Sequence, residues 1–332
     1  MVEIYRYLER HPPMSLKRVI PQQWRIWLGY KIKTGHLPVV NQRIDLFSPL
    51  SLPPGETEES LKQFLSSYRP EDGGGKDELR GYLNEAFQRF LYTLQLVPDS
   101  TGRLLEIGAN PYFMTLLLRR FRRYELHMTN YFGADFEGAT TQTIVSPTDR
   151  LVMDFTNVNI ERDMLPFDDQ TFDVVLLCEV LEHFTNDPAK ALLQIRRVLK
   201  ANGFLILTTP NVARLANVTR LIAGSNPYDP YSGYGPYGRH NREYNREEMV
   251  QLLEYLGFTI DEIFTSDVHP NEARLYGDPW QAMSLVDHRK DDLGQYIFIR
   301  AIKNESVPSD KKPIWLYRSY PPDQLGLSHT GL

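Results

Sequence analysis

The sequence predicts an α/β fold built on a mostly parallel sheet with helices on both faces. Three observations lead there. From about residue 102, short apolar runs of strand length alternate with amphipathic runs of helical period. The runs FDVVLLCE (172–179) and FLILTTP (204–210) are nearly continuously apolar, as strands buried on both faces are. Between them lies PAKALLQIRRVLK (188–200), a helix of the length a parallel crossover needs.

Each element follows in order. Residues 70–76, PEDGGGK, break the chain, because three consecutive glycines cannot continue a helix cheaply. Residues 77–97 read as an amphipathic helix, with Leu79, Tyr82, Leu83, Phe87, Phe90, Leu91 and Leu94 at helical spacing. RLLEIG (103–108) is the first strand. PYFMTLLLRRF (111–121) is a helix opened by Pro111, a residue suited to a first helical turn. YELHMTNYF (124–132) is the second strand. An insertion at 133–156 lacks helical period and reads as a hairpin, TQTIV and RLVMDF around the turn SPTD. After the 188–200 helix, Asn202-Gly203 is a stop signal. REEMVQLLEYLGF (246–258) is a further helix, and FTIDEIF (258–264) and QYIFIRA (295–301) are late strands. The domain spans 77–303. A basic, Pro-bearing arm (1–76) precedes it and a Pro- and Ser-rich tail (304–332) follows, for which no function is expected.

Composition narrows the function. The 332 residues carry 37 Lys and Arg against 42 Asp and Glu, a net charge of −5, which excludes a protein that coats nucleic acid by bulk charge. One cysteine, Cys178, excludes an internal disulfide framework and fits a reducing, cytoplasmic setting. No apolar run has the length of a spanning helix, and the first residues lack the apolar core of a secretory signal. The arm is locally different: residues 1–43 hold eight Lys and Arg against two Glu, with Trp24 and Trp27 nearby. Two readings stand: the arm packs on its own domain or a partner subunit, or it rests on an anionic membrane surface.

The chemistry begins where the first strand ends, Glu106-Ile107-Gly108-Ala109-Asn110-Pro111. An acid, a glycine and a tight turn into a helix bring a nucleoside-bearing ligand to a sheet edge, with Gly108 allowing close approach. Glu106 either orders the turn or accepts hydrogen bonds from a cationic amino-acid group.

Downstream, Leu165-Pro166-Phe167 precedes Phe172-Asp173-Val174-Val175. Glu-x-x-Glu-His follows at 179–183, then VLKANGFLILTTPN at 198–211. In this order and spacing the chain, over about 102–302, resembles the class I S-adenosylmethionine-dependent methyltransferases, the type 11, ubiquinone-biosynthesis-like kind. The resemblance implies a Rossmann-like sheet of seven strands with S-adenosylmethionine over the carboxyl ends of the first strands. It assigns Glu106, Gly108 and Asn110 to the cofactor loop, although the family's later glycines are here Asn110 and Tyr112. It puts Asn130 in place of the acid that holds the ribose hydroxyls. It places the residue beside the adenine within Asn159-Ile160-Glu161, and makes Glu179 a wall of the cofactor pocket.

On a helix, Glu179, Glu182 and His183 would share a face at i, i+3 and i+4. His240 arrives in GRHNREY, four residues before Tyr244. Two Glu and two His suit a divalent ion such as Mg or Mn, and the small-RNA 2′-O-methyltransferases use a similar set. Without metal, His183 or His240 is the expected general base. The segment 224–244 holds Tyr231, Tyr234, Tyr237 and Tyr244 among Gly and Pro. It is expected either to line an acceptor pocket or to pack on the N-terminal arm. The implied reaction is O-methylation of a saccharide, glycan or small-molecule hydroxyl. A small aromatic or quinone acceptor comes second, and nucleic acid third. The competing reading is an inactive methyltransferase-fold scaffold that docks through its arm.

Overall fold

The computed structural model describes residues 44–71, 76–136 and 140–326. Trp24, Trp27 and the rest of the basic stretch lie outside the described residues. In chain order come α1 (Glu58–Ser66), β1 (Arg69–Pro70), α2 (Lys76–Leu96), β2 (Thr101–Ile107), α3 (Phe113–Phe121) and β3 (Arg123–Asn130). Then come β4 (Thr141–Val145), β5 (Arg150–Asp154), β6 (Thr156–Asn157), β7 (Phe172–Cys178), α4 (Pro188–Val198) and β8 (Leu199–Pro210). After α5 (Leu215–Ile222) and α6 (Arg246–Tyr255) follow β9 (Phe258–Ser266), α7 (Pro279–Leu285) and β10 (Tyr296–Lys303).

Seven strands form the central sheet in the order β6-β3-β2-β7-β8-β10-β9, as expected. All neighbours run parallel except β10, which is antiparallel to both β8 and β9. Period-2 alternation sends successive side chains to opposite faces. Leu104, Val174 and Leu176 pack with α2 and α3, whereas Leu105, Val175 and Leu177 pack with α4 and α6. Both faces are therefore covered, and that is why these strands read as unbroken apolar runs. The carboxyl ends of β2, β3, β6 and β7 meet along one edge, where the order turns outward from β2. Open α/β sheets bind their ligands at such a point.

The 133–156 insertion is a hairpin as read: β4 and β5 pair antiparallel, and β1 adds a third strand. Two boundaries differ from the sequence reading. Helix α3 begins at Phe113, not Pro111, because Tyr112 takes a left-handed conformation with φ 70°. The arm is not separate over its described part. Leu61 and Leu65 of α1 are fully buried in one cluster with Leu83, Phe87 and Leu91 of α2, so α1 packs on the first long helix of the domain. Leu65→Ala should cost about 2–5 kcal/mol, the usual range for a core leucine, and denaturant unfolding should still show one transition. Two transitions would show the segment folding apart. The tail also packs down: Tyr317 is buried, and its hydroxyl donates to Asp187, the N-cap of α4, at 2.7 Å.

Candidate active site

The loop after β2 forms one wall of a cavity bounded by Glu106, Gly108, Pro111, Cys178, Glu179 and Arg89. Glu106 points to the α3 face, where it is 6% exposed. The Thr115 hydroxyl donates to it at 2.6 Å. Burial pushes its carboxyl up to about 8, against the pull of that hydrogen bond. Gly108 has φ +74°, and a Cβ there would lie 2.9 Å from Val180 Cγ2, so both the turn and the close approach of the next loop need glycine.

Asn130 ends β3 and is buried, but it serves the loop. Its Oδ1 accepts from the Asn110 backbone at 2.8 Å, and its Nδ2 donates to the Tyr112 hydroxyl at 3.1 Å. Each end of the amide thus has a partner within the protein. The Tyr112 hydroxyl accepts from Asn130 Nδ2 and itself donates to Gln142 Oε1. The Asn110 side chain turns to Gln142 at 3.1 Å.

Glu161 is also engaged internally. Its carboxylate accepts from the backbone of Thr185 at 2.8 Å, of Asp187 at 3.1 Å and of Asn186, which holds the segment entering α4. The Tyr237 hydroxyl donates to Glu161 and accepts from Asn159 Nδ2, each at 3.1 Å. Tyr237 thus pins the Tyr-rich loop to the chain beyond β6. The other tyrosines part ways. Tyr231 and Tyr234 are 91% and 93% exposed, while Tyr244 is 1% exposed. Tyr244 lies in the apolar core with Met249 and Leu252, which removes it from the expected acceptor-lining set. Its spacing is that of a residue anchoring the loop's end.

The Glu-x-x-Glu-His run does not form the expected helix. Glu179 adopts φ 56°, and Leu181–His183 make a single 3-10 turn. The two glutamates therefore diverge. Glu179 pairs with Arg89 at 2.9 Å and accepts from Thr208 at 2.9 Å. Glu182, fully buried, comes together with His183 and His240: one ligand atom from each lies within 4.8 Å of the others. Thr209 donates to Glu182 Oε2 at 3.1 Å, but Oε1 has no partner among the described residues. Burial, then the nearby charge of Glu179, pushes the Glu182 carboxyl up to about 8.

The two imidazoles are oriented from behind. His183 Nδ1 lies 2.9 Å from the Arg239 carbonyl. A carbonyl only accepts, so Nδ1 carries the hydrogen, and Nε2 lies 3.8 Å from Glu182 Oε1. His240 Nδ1 faces Glu243 at 2.9 Å, and Glu243 is in turn paired with Arg214. Burial and the charge of His240 hold His183 below the ordinary histidine range. Burial opposes charge on His240, but the hydrogen bond to Glu243 and the charges of Glu182, Glu243 and Asp229 outweigh it, so its pKa is raised. The Tyr-rich loop is tied to this turn through Asn241, whose side chain donates to the His183 carbonyl at 2.8 Å.

Arg89 is the residue missed in sequence. It is an arginine on the apolar side of α2, seven positions after Tyr82, and a charge on that stripe was the available signal. The Arg89 side chain is 7% exposed; it bonds Glu179 and donates to the Tyr82 hydroxyl at 2.6 Å. It also faces the rings of Tyr82, Phe90 and Tyr296 at 5.4–5.6 Å.

This sheet, with its loop after β2 and its acid-rich turn after β7, defines a class I S-adenosylmethionine-dependent methyltransferase. A family model described as a methyltransferase domain matches residues 77–263, more than half of the chain, and the chain belongs to that family. Similar solved structures include a chain from the complex of the Haloferax volcanii Trm112 methyltransferase activator with a methyltransferase. It is 15% identical, with TM-score 0.46, over 69% of this chain and 94% of that one. A Thermotoga maritima S-adenosylmethionine-dependent methyltransferase is 17% identical, with TM-score 0.44, over 69% and 96%. One from Archaeoglobus fulgidus is 17% identical, with TM-score 0.43, over 66% and 94%. No curated protein matches in sequence. Among the described residues no helix is long and apolar enough to cross a membrane.

Proposed function

We propose that this methyltransferase acts on a hydroxyl oxygen, of a saccharide, glycan or small molecule, with Glu182, His183 and His240 on the acceptor side. The observation that carries this reading is the convergence of three side chains: one ligand atom each of Glu182, His183 and His240 lies within 4.8 Å of the others, and Glu182 Oε1 has no partner among the described residues. An alcohol needs a base as it is methylated, and a core that buried a carboxylate oxygen without purpose would be destabilised.

S-adenosylmethionine, when bound, supplies a methyl group already activated by its sulfonium. The residues that fit it are Glu106, whose buried carboxyl suits an ammonium group, and Gly108, whose backbone lets a ligand come close. His183, its pKa lowered chiefly by burial, would take the acceptor hydroxyl's proton at Nε2. His240, whose pKa the hydrogen bond to Glu243 and the nearby carboxyl groups raise against burial, would steady the developing oxyanion when protonated. The same Glu182, His183 and His240 fit a divalent ion of mixed oxygen and nitrogen preference, such as Mn, which would lower the acceptor hydroxyl's pKa. Glu179 is outside that set, held by Arg89.

Titration calorimetry with S-adenosylhomocysteine, with and without Mn and Mg, tests the cofactor and the ion. A methyl-transfer screen over glycans, phenols and RNA then tests the acceptor. Micromolar cofactor binding with transfer to a saccharide hydroxyl is the expected result. Binding with transfer only to a nitrogen, a phenol or RNA would overturn the acceptor class. No cofactor binding under any condition would favour the inactive scaffold.

A further inference from the structure

We propose that the outer face of α5 and α7 docks on an anionic lipid bilayer, with the basic arm as the second point of attachment. Among the described residues, six Leu, Ile, Val, Met, Phe and Trp side chains are more than half exposed, and four of them stand on these two short helices. They are Leu221 and Ile222, each 62% exposed, Trp280 at 51% and Leu285 at 68%. Single exposed apolar groups are ordinary on a protein surface, but here four fall on two helices that pack against each other. The inner faces of the same helices are already filled: Leu215 and Ala282 are buried together, with Val218 and Met283 against them.

Two features of this face select a bilayer as its occupant. The first is composition. Trp280 stands among aliphatic chains, and α5 runs straight into the loop where Tyr228, Tyr231 and Tyr234 are exposed. Trp and Tyr rings have an apolar body and a polar tip and settle at the headgroup level, while Leu and Ile reach the acyl boundary. The second is the place where the arm joins. Ile44 is buried in one cluster with Leu215 of α5 and Ala282 of α7. The 43 residues before it carry eight Lys and Arg against two Glu, with Trp24 and Trp27. A chain with a net charge of −5 needs such a segregated positive segment to approach an anionic surface at all. Attraction of the arm to headgroups and burial of the four apolar side chains then act together, and stable peripheral binding takes two such contributions. The docking does not depend on which atom is methylated.

Vesicle flotation of the full chain tests this, with vesicles of phosphatidylcholine alone and of phosphatidylcholine mixed with phosphatidylglycerol. The wild type should bind the anionic vesicles roughly tenfold or more tightly than the neutral ones, and added salt should weaken that binding. Leu221→Ser/Ile222→Ser and Trp280→Ser/Leu285→Ser should each lose roughly tenfold or more, while Val307→Ser, an exposed apolar site in the tail, stays within about twofold. Because the four side chains are exposed, both helix variants should melt as the wild type does. If one fails to fold, the other carries the test. Arg25→Ala/Lys31→Ala/Lys33→Ala should bind more weakly and with less dependence on salt. If the folded helix variants float as the wild type does and only the arm variant is lost, the arm binds alone and the face is not a docking surface. If the wild type binds neither kind of vesicle, the proposal fails. A dimer in sedimentation that the helix variants dissociate would then assign the face to a second copy of the chain.

Discussion

Replacing Glu106 by Gln is expected to stabilise the ligand-free protein at alkaline pH and to weaken cofactor binding. Burial raises the Glu106 carboxyl to about 8, while an unfolded chain leaves a glutamate near 4.3. Between those values the folded state keeps a proton that the unfolded state has lost. Stability from this group is therefore complete below about pH 4 and declines as pH rises toward 8, by at most about 1.4 kcal/mol per pH unit. A glutamine never ionises, so it removes that slope and can still accept from Thr115. Thermal unfolding of Glu106→Gln should match the wild type near pH 4 and lie roughly 3–6 °C above it at pH 8.5. Calorimetry should show affinity for S-adenosylmethionine falling roughly 10- to 100-fold, the value of one hydrogen bond to a charged group. A variant no more stable than the wild type at pH 8.5, with unchanged affinity, would mean that Glu106 only orders the turn.

The larger loss of rate is expected at His183. Removing a general base costs roughly 10²- to 10⁴-fold, so His183→Ala should lose that much in kcat while binding of S-adenosylhomocysteine stays within about threefold. The pH profile supplies a sign. His183 titrates below the ordinary histidine range through burial and the charge of His240, so kcat/KM should rise with pH and level off before neutrality. Glu243→Gln removes the charge, and weakens the hydrogen bond, that raise His240. His240 then loses its proton at lower pH and no longer repels a proton on His183. The pKa of His183 climbs, and the acid limb of the profile moves to higher pH. A limb that stays in place in Glu243→Gln, or a His183→Ala enzyme with near-normal kcat, would remove His183 as the base.

The architecture was readable because it depends on local patterning. The apolar runs at 172–178 and 204–210 announce doubly buried strands, and the helical period at 188–200 and 246–258 announces two helices. The hairpin around SPTD follows from turn chemistry. Short elements were harder. Helix α1 is one amphipathic stretch of nine residues in a Pro-bearing segment, and α5 and α7 are eight and seven residues long, too short for a period to stand out.

The site divides along another line. Glu106, Gly108, Glu182, His183 and His240, the residues of the candidate site, each stand in a motif whose chemistry is local. Their partners could not be read from the chain alone. Spacing alone makes Glu179 and Glu182 look equivalent, three residues apart on an assumed helix. In the fold a left-handed residue at 179 sends one carboxylate to Arg89, ninety positions away, and the other to His240. Asn130, Asn159 and Glu161 likewise carry the right atoms, yet those atoms are engaged by Tyr112, Tyr237 and the backbone entering α4. Residue type and spacing limit which chemistry a chain can perform. Which polar atoms remain free to perform it depends on the neighbours that burial brings from distant parts of the chain, since a buried polar group takes whatever partner lies within reach.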